Sequence, residues 1–198
     1  MPTQPTAGPS GELCDFDRMT LADVRSAYLA TSTTAMPIGG LIAWAGLASA
    51  MLWLGEALPH TAPFYVAALP FPLALLIDRV RGRPGISSDD RHNPVTRLFM
   101  QFIFVVALLI PFVIIAAGGN TDLLVLGLAV FAGLVWVPHG WGADDPAGMR
   151  HFAMRTVLCY AAYLFAPDVL RGAAVAGMAA LTYVYAIAAM RKPTSAVR

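Results

Sequence analysis

The sequence predicts an all-α integral membrane protein, in which six transmembrane helices form a bundle behind a short N-terminal amphipathic helix. Of the 198 residues, 58% are hydrophobic and 13% are charged, and the mean hydropathy is +0.64. Soluble domains carry about 25% charged residues, so this chain has too little charge to cover a surface that faces water. The apolar residues also fall into separate runs, and a membrane-spanning helix needs about 20 such residues.

Six apolar runs provide the predicted spans. They cover residues 35–54, 62–77, 98–117, 123–137, 152–166 and 169–190. Proline, glycine or charged residues interrupt the chain between successive runs, as in the polar loop 79–94 and the Gly-Gly-Asn-Thr turn at 118–121. The second, fourth and fifth runs are short, so flanking residues or a locally thinner bilayer must complete those spans.

A single bundle domain, residues 20–192, is predicted between a disordered cytoplasmic tail (1–19) and a short C-terminal tail (193–198). The N-terminal tail is rich in Pro, Thr, Gly and Ser and lacks the basic and apolar regions of a signal peptide. Thr20 and Asp23 are spaced as a helix N-cap pair, which predicts either an interfacial helix or an extension of the first span. Cys14 and Cys159 fall at different predicted depths, so no disulfide is expected.

The basic residues predict the orientation of the bundle. With six spans, twelve of the thirteen lysines and arginines lie on the side of the two termini, and only Arg171 lies on the other side. Because loops rich in Lys and Arg stay in the cytoplasm, both termini are predicted to be cytoplasmic, in the cell membrane of a bacterium. The net charge of +1 gives no general attraction to nucleic acid.

Three acidic residues on the non-cytoplasmic side are the predicted catalytic groups: Glu56, Asp122 and Asp168. A carboxyl group in an apolar cavity keeps its proton, which makes Glu56 a candidate general acid; the alternative is an interfacial Glu56 in solvent. Asp122 and Asp168 each open a helix, where a capping role is the alternative to a role beside Glu56.

Aromatic residues are predicted to line a substrate cavity. The predicted lining residues are Trp44, Trp53, Tyr65, Phe71, Phe112, Trp136 and Tyr163. Aromatic faces stabilise cations through their quadrupole, and packing in the membrane or at its interface is the alternative role of each. No metal and no cofactor are predicted. A cation site at Asp144 and Asp145 stays an open alternative, but no third ligand has a fixed spacing beyond His139, His151 or His92, and the diphosphate-binding DDxxD motif is absent. Asp78 beside Arg79 predicts an interfacial ion pair.

Three stretches resemble an uncharacterised bacterial family of small multi-span membrane proteins. They are residues 69–72 (Leu-Pro-Phe-Pro), 91–98 (Arg-His-Asn-Pro-Val-Thr-Arg-Leu) and 135–142 (Val-Trp-Val-Pro-His-Gly-Trp-Gly). The likeness covers most of the membrane core, and it implies a topology but no activity.

The chain length, the number of spans and the acid-plus-aromatic content, including the run Trp-Leu-Gly-Glu at 53–56, also resemble the bacterial membrane-bound terpene cyclases of indole-sesquiterpenoid (drimentine-type) pathways. This resemblance implies a metal-free cyclisation of a farnesylated indole, started by proton transfer from Glu56 and sustained by aromatic walls that stabilise carbocations. A hydrophobic small-molecule substrate and the lipid bilayer are the implied partners.

Two other functions are open alternatives to the cyclase. The first is a transporter or resistance protein for a small amphipathic molecule. Acidic groups along a path that opens to each side of the membrane in turn would distinguish it, and a cavity closed at the non-cytoplasmic end would count against it. The second is a non-catalytic membrane scaffold, which requires a tightly packed bundle without a cavity.

Overall fold

The computed structural model of the protein describes residues 16–82 and 92–191. Within this part the regular structure is helical, which confirms the all-α prediction. The α-helices are α1 (Leu21–Thr31), α2 (Met36–Leu54), α3 (Ala62–Ala68), α4 (Pro70–Val80), α5 (Pro94–Ala117), α6 (Thr121–Leu134), α7 (Trp136–Gly142), α8 (Ala147–Phe165) and α9 (Arg171–Ala189). Most of the predicted N-terminal tail, Cys14 and the C-terminal tail lie outside the described residues.

Four helical segments are long and apolar enough to cross a membrane. They are Met36–Ala57, Pro94–Ala117, Thr121–Gly142 and Asp168–Ala189. Helices α3 and α4 pass the same test together but bend by 43° between them, so the number rises to five if the pair is one span. The segments are compatible with a membrane protein, and the predicted total of six spans is not confirmed.

Two local features explain why the structure has four or five candidate segments and not the six predicted spans. The α3–α4 bend falls at Pro70, which has no backbone N–H to continue the helical hydrogen bonding. Helix α8, the predicted fifth span, has 19 residues but includes Arg150, His151 and Arg155 in its first half. These polar residues lower its hydropathy, and α8 is not among the four segments.

Side-chain caps begin α1 and α5, and the cap of α1 was predicted from the sequence. Thr20 and Asp23 form a reciprocal capping box at the start of α1, and the interfacial position of that helix stays a prediction. Asn93 caps α5 by accepting from the backbone N–H groups of Val95 and Thr96, while its amide donates to Val24 O at 3.0 Å. Asn93 therefore joins the start of α5 to α1.

Helix α9 lies at the centre of the bundle, packed against α2, α6 and α8. Its buried face is built mainly from small residues, including Ala176, Ala179 and Ala180, which allow neighbouring helices to approach closely. The backbones of α7 and α8 also touch: a Cβ on Gly140 would lie 2.9 Å from Gly148 Cα, and one on Gly148 would lie 2.3 Å from Trp136 O. Only glycine fits at either position without a shift.

The bundle has two distinct ends, named here for one residue each. At the Glu56 end, the turn after α2 meets the starts of α6 and α9, and His60 Nδ1 lies 2.6 Å from Thr121 Oγ1. At the Tyr28 end, α1 and the end of α9 meet the turn between α7 and α8. Arg25 forms an ion pair with Asp144 at 2.9 Å, and Arg191 N donates to Asp145 at 2.7 Å.

Candidate functional site

The three predicted acids lie at the Glu56 end. Glu56 is exposed in the short 3-10 turn Gly55–Ala57, and Asp168 is exposed and forms an ion pair with Arg171. Asp122 is half-buried at the start of α6, against Gly172 of α9. The fold thus brings the acids to the same end of the bundle, but neither of the cavities described below is lined by any of them.

The predicted substrate-binding aromatics divide between the outside and the inside of the bundle. The outward-facing rings are those of Trp53, Tyr65 and Phe112, and Trp53 is 86% exposed. Tyr163 is half-buried with Arg171 Cζ 5.4 Å from its ring centroid. Trp44 and Trp136 point inward instead, toward a cluster of buried polar side chains, and Phe71 is half-buried and lines a cavity described below.

Arg155 is the main feature of that cluster. It is fully buried in the middle of α8, where its Nε donates to Ala129 O of α6 at 2.7 Å. Its Cζ lies 4.7 Å from the ring centroid of Trp44 on α2 and 5.0 Å from that of Tyr183 on α9. Within the described part of the chain, Nη1 and Nη2 have no hydrogen-bond partner.

The chain makes room for Arg155 at Gly133. A Cβ at that position of α6 would lie 2.9 Å from Arg155 Cδ, so the arginine crosses α6 where no side chain stands. Four helices hold the guanidinium in this way: α8 carries it, α6 accepts its Nε–H, and α2 and α9 cover it with aromatic rings.

His151 lies one helical turn before Arg155, on the same face of α8. Its side chain is fully buried, and neither ring nitrogen has a hydrogen-bond partner among the described residues. The imidazole contacts two rings, with centroid distances of 5.1 Å to Trp136 and 5.3 Å to Tyr183. Buried polar side-chain atoms in proteins are nearly always hydrogen-bonded, so two such residues side by side call for an explanation.

Two adjoining cavities, of about 70 and about 300 Å³, open at the Tyr28 end and together are called the vestibule. The smaller one is lined by apolar side chains that include Met36, Phe71 and Phe99, and the larger one includes Arg81 and Arg191. Both cavities are lined by Ser32, Thr33, Trp136 and His139. The vestibule is therefore apolar on one side and basic on the other.

Polar contacts fix the walls of the vestibule. The Tyr28 hydroxyl lies 2.8 Å from His139 Nδ1, and burial raises the pKa of Tyr28, which keeps the phenol protonated. The Thr33 hydroxyl donates to the buried Asp78 carboxylate at 2.5 Å. Asp78 is thereby held by a neighbouring hydroxyl, and the predicted pairing with Arg79 is not among its contacts.

Trp136 separates the vestibule from His151 and Arg155. Its indole lines the vestibule on one side, 5.5 Å from the His139 ring, and covers His151 on the other. The indole Nε1 is buried without a hydrogen-bond partner in the described residues. Aromatic contacts therefore continue from the vestibule through Trp136 to His151, Tyr183 and Arg155.

The chemistry of this arrangement is that of an anion site. Arginine is always protonated in proteins, and an unpaired charge inside a bundle is expensive because it is removed from water. The aromatic faces offset part of that cost, and an oxyanion would offset the rest by pairing with the two Nη groups. Among the described residues no group of three or more His, Cys, Asp or Glu side chains is arranged to hold a metal ion.

Comparison with protein families matches residues 26–192 to DUF7010, a family of unknown function. The match covers most of the chain, so the protein belongs to this family. Neither the curated proteins nor the solved structures include a match, and the resemblance to terpene cyclases is not shown by these comparisons.

Proposed function

We propose that this DUF7010 member is a membrane-embedded carrier for a small organic anion, a carboxylate with an apolar body, and that Arg155 holds the carboxylate. The observation that carries the proposal is the fully buried guanidinium whose Nη1 and Nη2 lack a hydrogen-bond partner within the described part of the chain. A charged residue inside a membrane bundle is expensive to keep there, and such residues mark binding sites and transport pathways.

The geometry of the guanidinium favours a carboxylate over a spherical anion. The Nε–H of Arg155 already donates a hydrogen bond to Ala129 O, which leaves Nη1 and Nη2 as a parallel pair of donors. A planar carboxylate accepts from such a pair through both of its oxygens, and this bidentate contact adds both strength and orientation. A lysine ammonium or a neutral side-chain donor in place of the guanidinium would not offer this parallel pair of N–H groups.

The vestibule favours a ligand with an apolar body. Phe71 and Phe99 line its smaller cavity, while Arg81 and Arg191 line the larger one. Basic residues at the mouth of a cleft raise the local concentration of anions, and the aromatic side receives the apolar part. Trp136 then has to turn aside to let the ligand reach Arg155, and no hydrogen bond among the described residues holds its indole nitrogen in place.

The carrier lies in the bacterial cell membrane with the vestibule toward the cytoplasm. The support for this orientation is the charge distribution of the sequence, in which nearly all of the lysines and arginines fall on the predicted side of the two termini. A ligand from the cytoplasm enters the vestibule first and meets Arg155 only after it passes Trp136.

Benzoate binding tests the proposal directly. Protein purified in detergent is dialysed against radiolabelled benzoate, with benzyl alcohol as a neutral competitor of similar shape. The wild type is expected to bind benzoate, benzyl alcohol is expected not to displace it, and Arg155→Met is expected to bind at least tenfold more weakly. Arg150→Met is the matched control, because Arg150 is exposed on the same helix.

Transport is measured in proteoliposomes with benzenesulfonate, whose permanent charge prevents it from crossing the bilayer unaided. Uptake that depends on Arg155 supports a carrier. Equal benzoate binding by the wild type and Arg155→Met would overturn the site. Benzenesulfonate that displaces bound benzoate but is not taken up would overturn the carrier role.

The acid-initiated cyclase inferred from the sequence stays a prediction. Its proposed acid, Glu56, stands exposed at the end of the bundle opposite the vestibule, so the observations above give it no additional support. Incubation of the purified protein with a farnesylated indole remains its direct test.

A further inference from the structure

The buried His151 has no role in the carboxylate contact described above. It is fully buried, and both of its ring nitrogens lack a hydrogen-bond partner among the described residues. Placing such a side chain in the core costs free energy that leucine would not cost. Its position one turn from Arg155, on the same face of α8, places it beside the carboxylate of a bound ligand.

The charged and titratable groups around His151 come from three helices. Arg155 is on the same helix, Tyr183 of α9 contacts the imidazole, and Trp136 of α7 separates it from His139. The part of α6 that packs here contributes Ala129 and Gly133, which carry no charge. No carboxylate in the described residues is in contact with this group.

Charge balance then distinguishes the empty site from the occupied site. In the empty site a proton on His151 would add a second positive charge beside Arg155, and both side chains are fully buried with no counter-charge in contact among the described residues, so the neutral imidazole is favoured. A bound carboxylate cancels the charge of Arg155 and provides an acceptor for an imidazolium N–H. The site then keeps the same net charge, +1, only if His151 takes up a proton when the anion arrives.

We infer that the site takes up one proton with each carboxylate, and that His151 holds this proton. The inference rests on the proposed function, since it requires a carboxylate at Arg155. The carrier therefore moves an anion together with a proton, which transfers no net charge. The proton comes from the aqueous solution through the vestibule, and it returns to solution when the carboxylate leaves.

Proton uptake on binding is the test. Sodium benzoate is added to the purified protein in weakly buffered detergent solution near neutral pH, where benzoate itself is ionised, and a pH-sensitive dye reports the protons taken up. The wild type is expected to take up about one proton per benzoate bound, and its affinity is expected to rise about tenfold for each unit by which the pH falls. Benzyl alcohol is expected to produce no uptake.

Two variants test whether His151 is the residue that takes up the proton. His151→Gln is expected to bind benzoate without proton uptake and with an affinity that no longer depends on pH. His92→Gln, at an exposed position, is the matched control and should behave as the wild type. If His151→Gln does not fold, His151→Asn takes its place, and a wild-type affinity that does not depend on pH would overturn the inference without either variant.

The outcomes separate the two proposals. Benzoate binding without proton uptake in the wild type, or unchanged uptake in His151→Gln, would overturn the role of His151 and leave the carboxylate site standing. No benzoate binding by the folded wild type would overturn the carboxylate site itself, and the proton inference with it.

Discussion

Replacement of Arg155 by methionine separates the stability of the empty bundle from the energy of ligand binding. In the wild type, the charged hydrogen bond to Ala129 O contributes about 1.5–3 kcal/mol. The contacts with the Trp44 and Tyr183 rings contribute about 0.5–2 kcal/mol each. Each unpaired, buried Nη group costs roughly 1–3 kcal/mol. These contributions cancel to within a few kcal/mol, so the empty variant is expected to be nearly as stable as the empty wild type.

Benzoate is expected to stabilise the wild type and to leave the stability of Arg155→Met unchanged. At a benzoate concentration about 100 times Kd, binding stabilises the folded protein by about 2.7 kcal/mol. For a chain of this size each kcal/mol raises Tm by about 2–4 °C, so the expected shift is about 5–10 °C. Thermal unfolding followed by intrinsic tryptophan fluorescence measures it, with benzyl alcohol as the neutral control.

Two results would refute this reasoning. An equal benzoate shift in Arg155→Met would place the ligand elsewhere. Loss of far more than a few kcal/mol of stability in the empty variant would show that Arg155 is a structural cross-link between α8 and α6, whose unpaired nitrogens cost the fold little.

Three other substitutions test separate parts of the structure. Gly133→Ala brings a methyl group to 2.9 Å from Arg155 Cδ, and it is expected to destabilise the protein by about 1–3 kcal/mol in thermal unfolding; Gly177→Ala, with open space around it, should leave stability unchanged or slightly raised. Trp136→Ala removes the side chain between the vestibule and His151, so benzenesulfonate uptake should become faster, and a slower rate would contradict a gating role. Glu56→Gln is expected to abolish cyclisation of a farnesylated indole if the sequence-based cyclase prediction is correct, and cyclised product from this variant would exclude Glu56 as the acid.

The parts of the fold that depend on neighbouring residues were predictable from the sequence. Thr20 with Asp23 is a capping signal complete within four residues, and the structure uses it. The apolar runs likewise indicate membrane helices, because length and hydropathy are local properties. The number of spans was harder to predict, since the bend at Pro70 and the polar first half of α8 depend on what surrounds them.

The buried cluster was missed because its partners are far apart in the chain. Arg155 was counted among the basic residues that set orientation, although it lies inside the fifth apolar run. The acceptor of its Nε–H, Ala129, is 26 residues away, and Trp44 lies on another helix. The available signal was the i, i+4 pair of His151 and Arg155 within a predicted span, which places two polar groups on one helix face.

The predicted substrate-binding aromatics show that composition does not predict which side chains of an apolar helix are buried. Trp44 and Trp53 lie on the same apolar helix, yet one is fully buried and the other is 86% exposed. A helix that is apolar all around carries no sequence signal for which face turns inward. Only the packing of α2 against α9 decides it.

The glycine contact between α7 and α8 limits how the proposed carrier can open. Because Gly140 and Gly148 bring the two backbones together, α7 cannot swing away from α8 without breaking that contact, so rotation of the Trp136 ring is the proposed opening step. The opening is then about as wide as the indole that leaves it. In the proposed carrier, a flat aromatic acid or a single alkyl chain would pass through such an opening, whereas a two-chain phospholipid would be too broad, so two residues without a side chain would limit the size of the cargo.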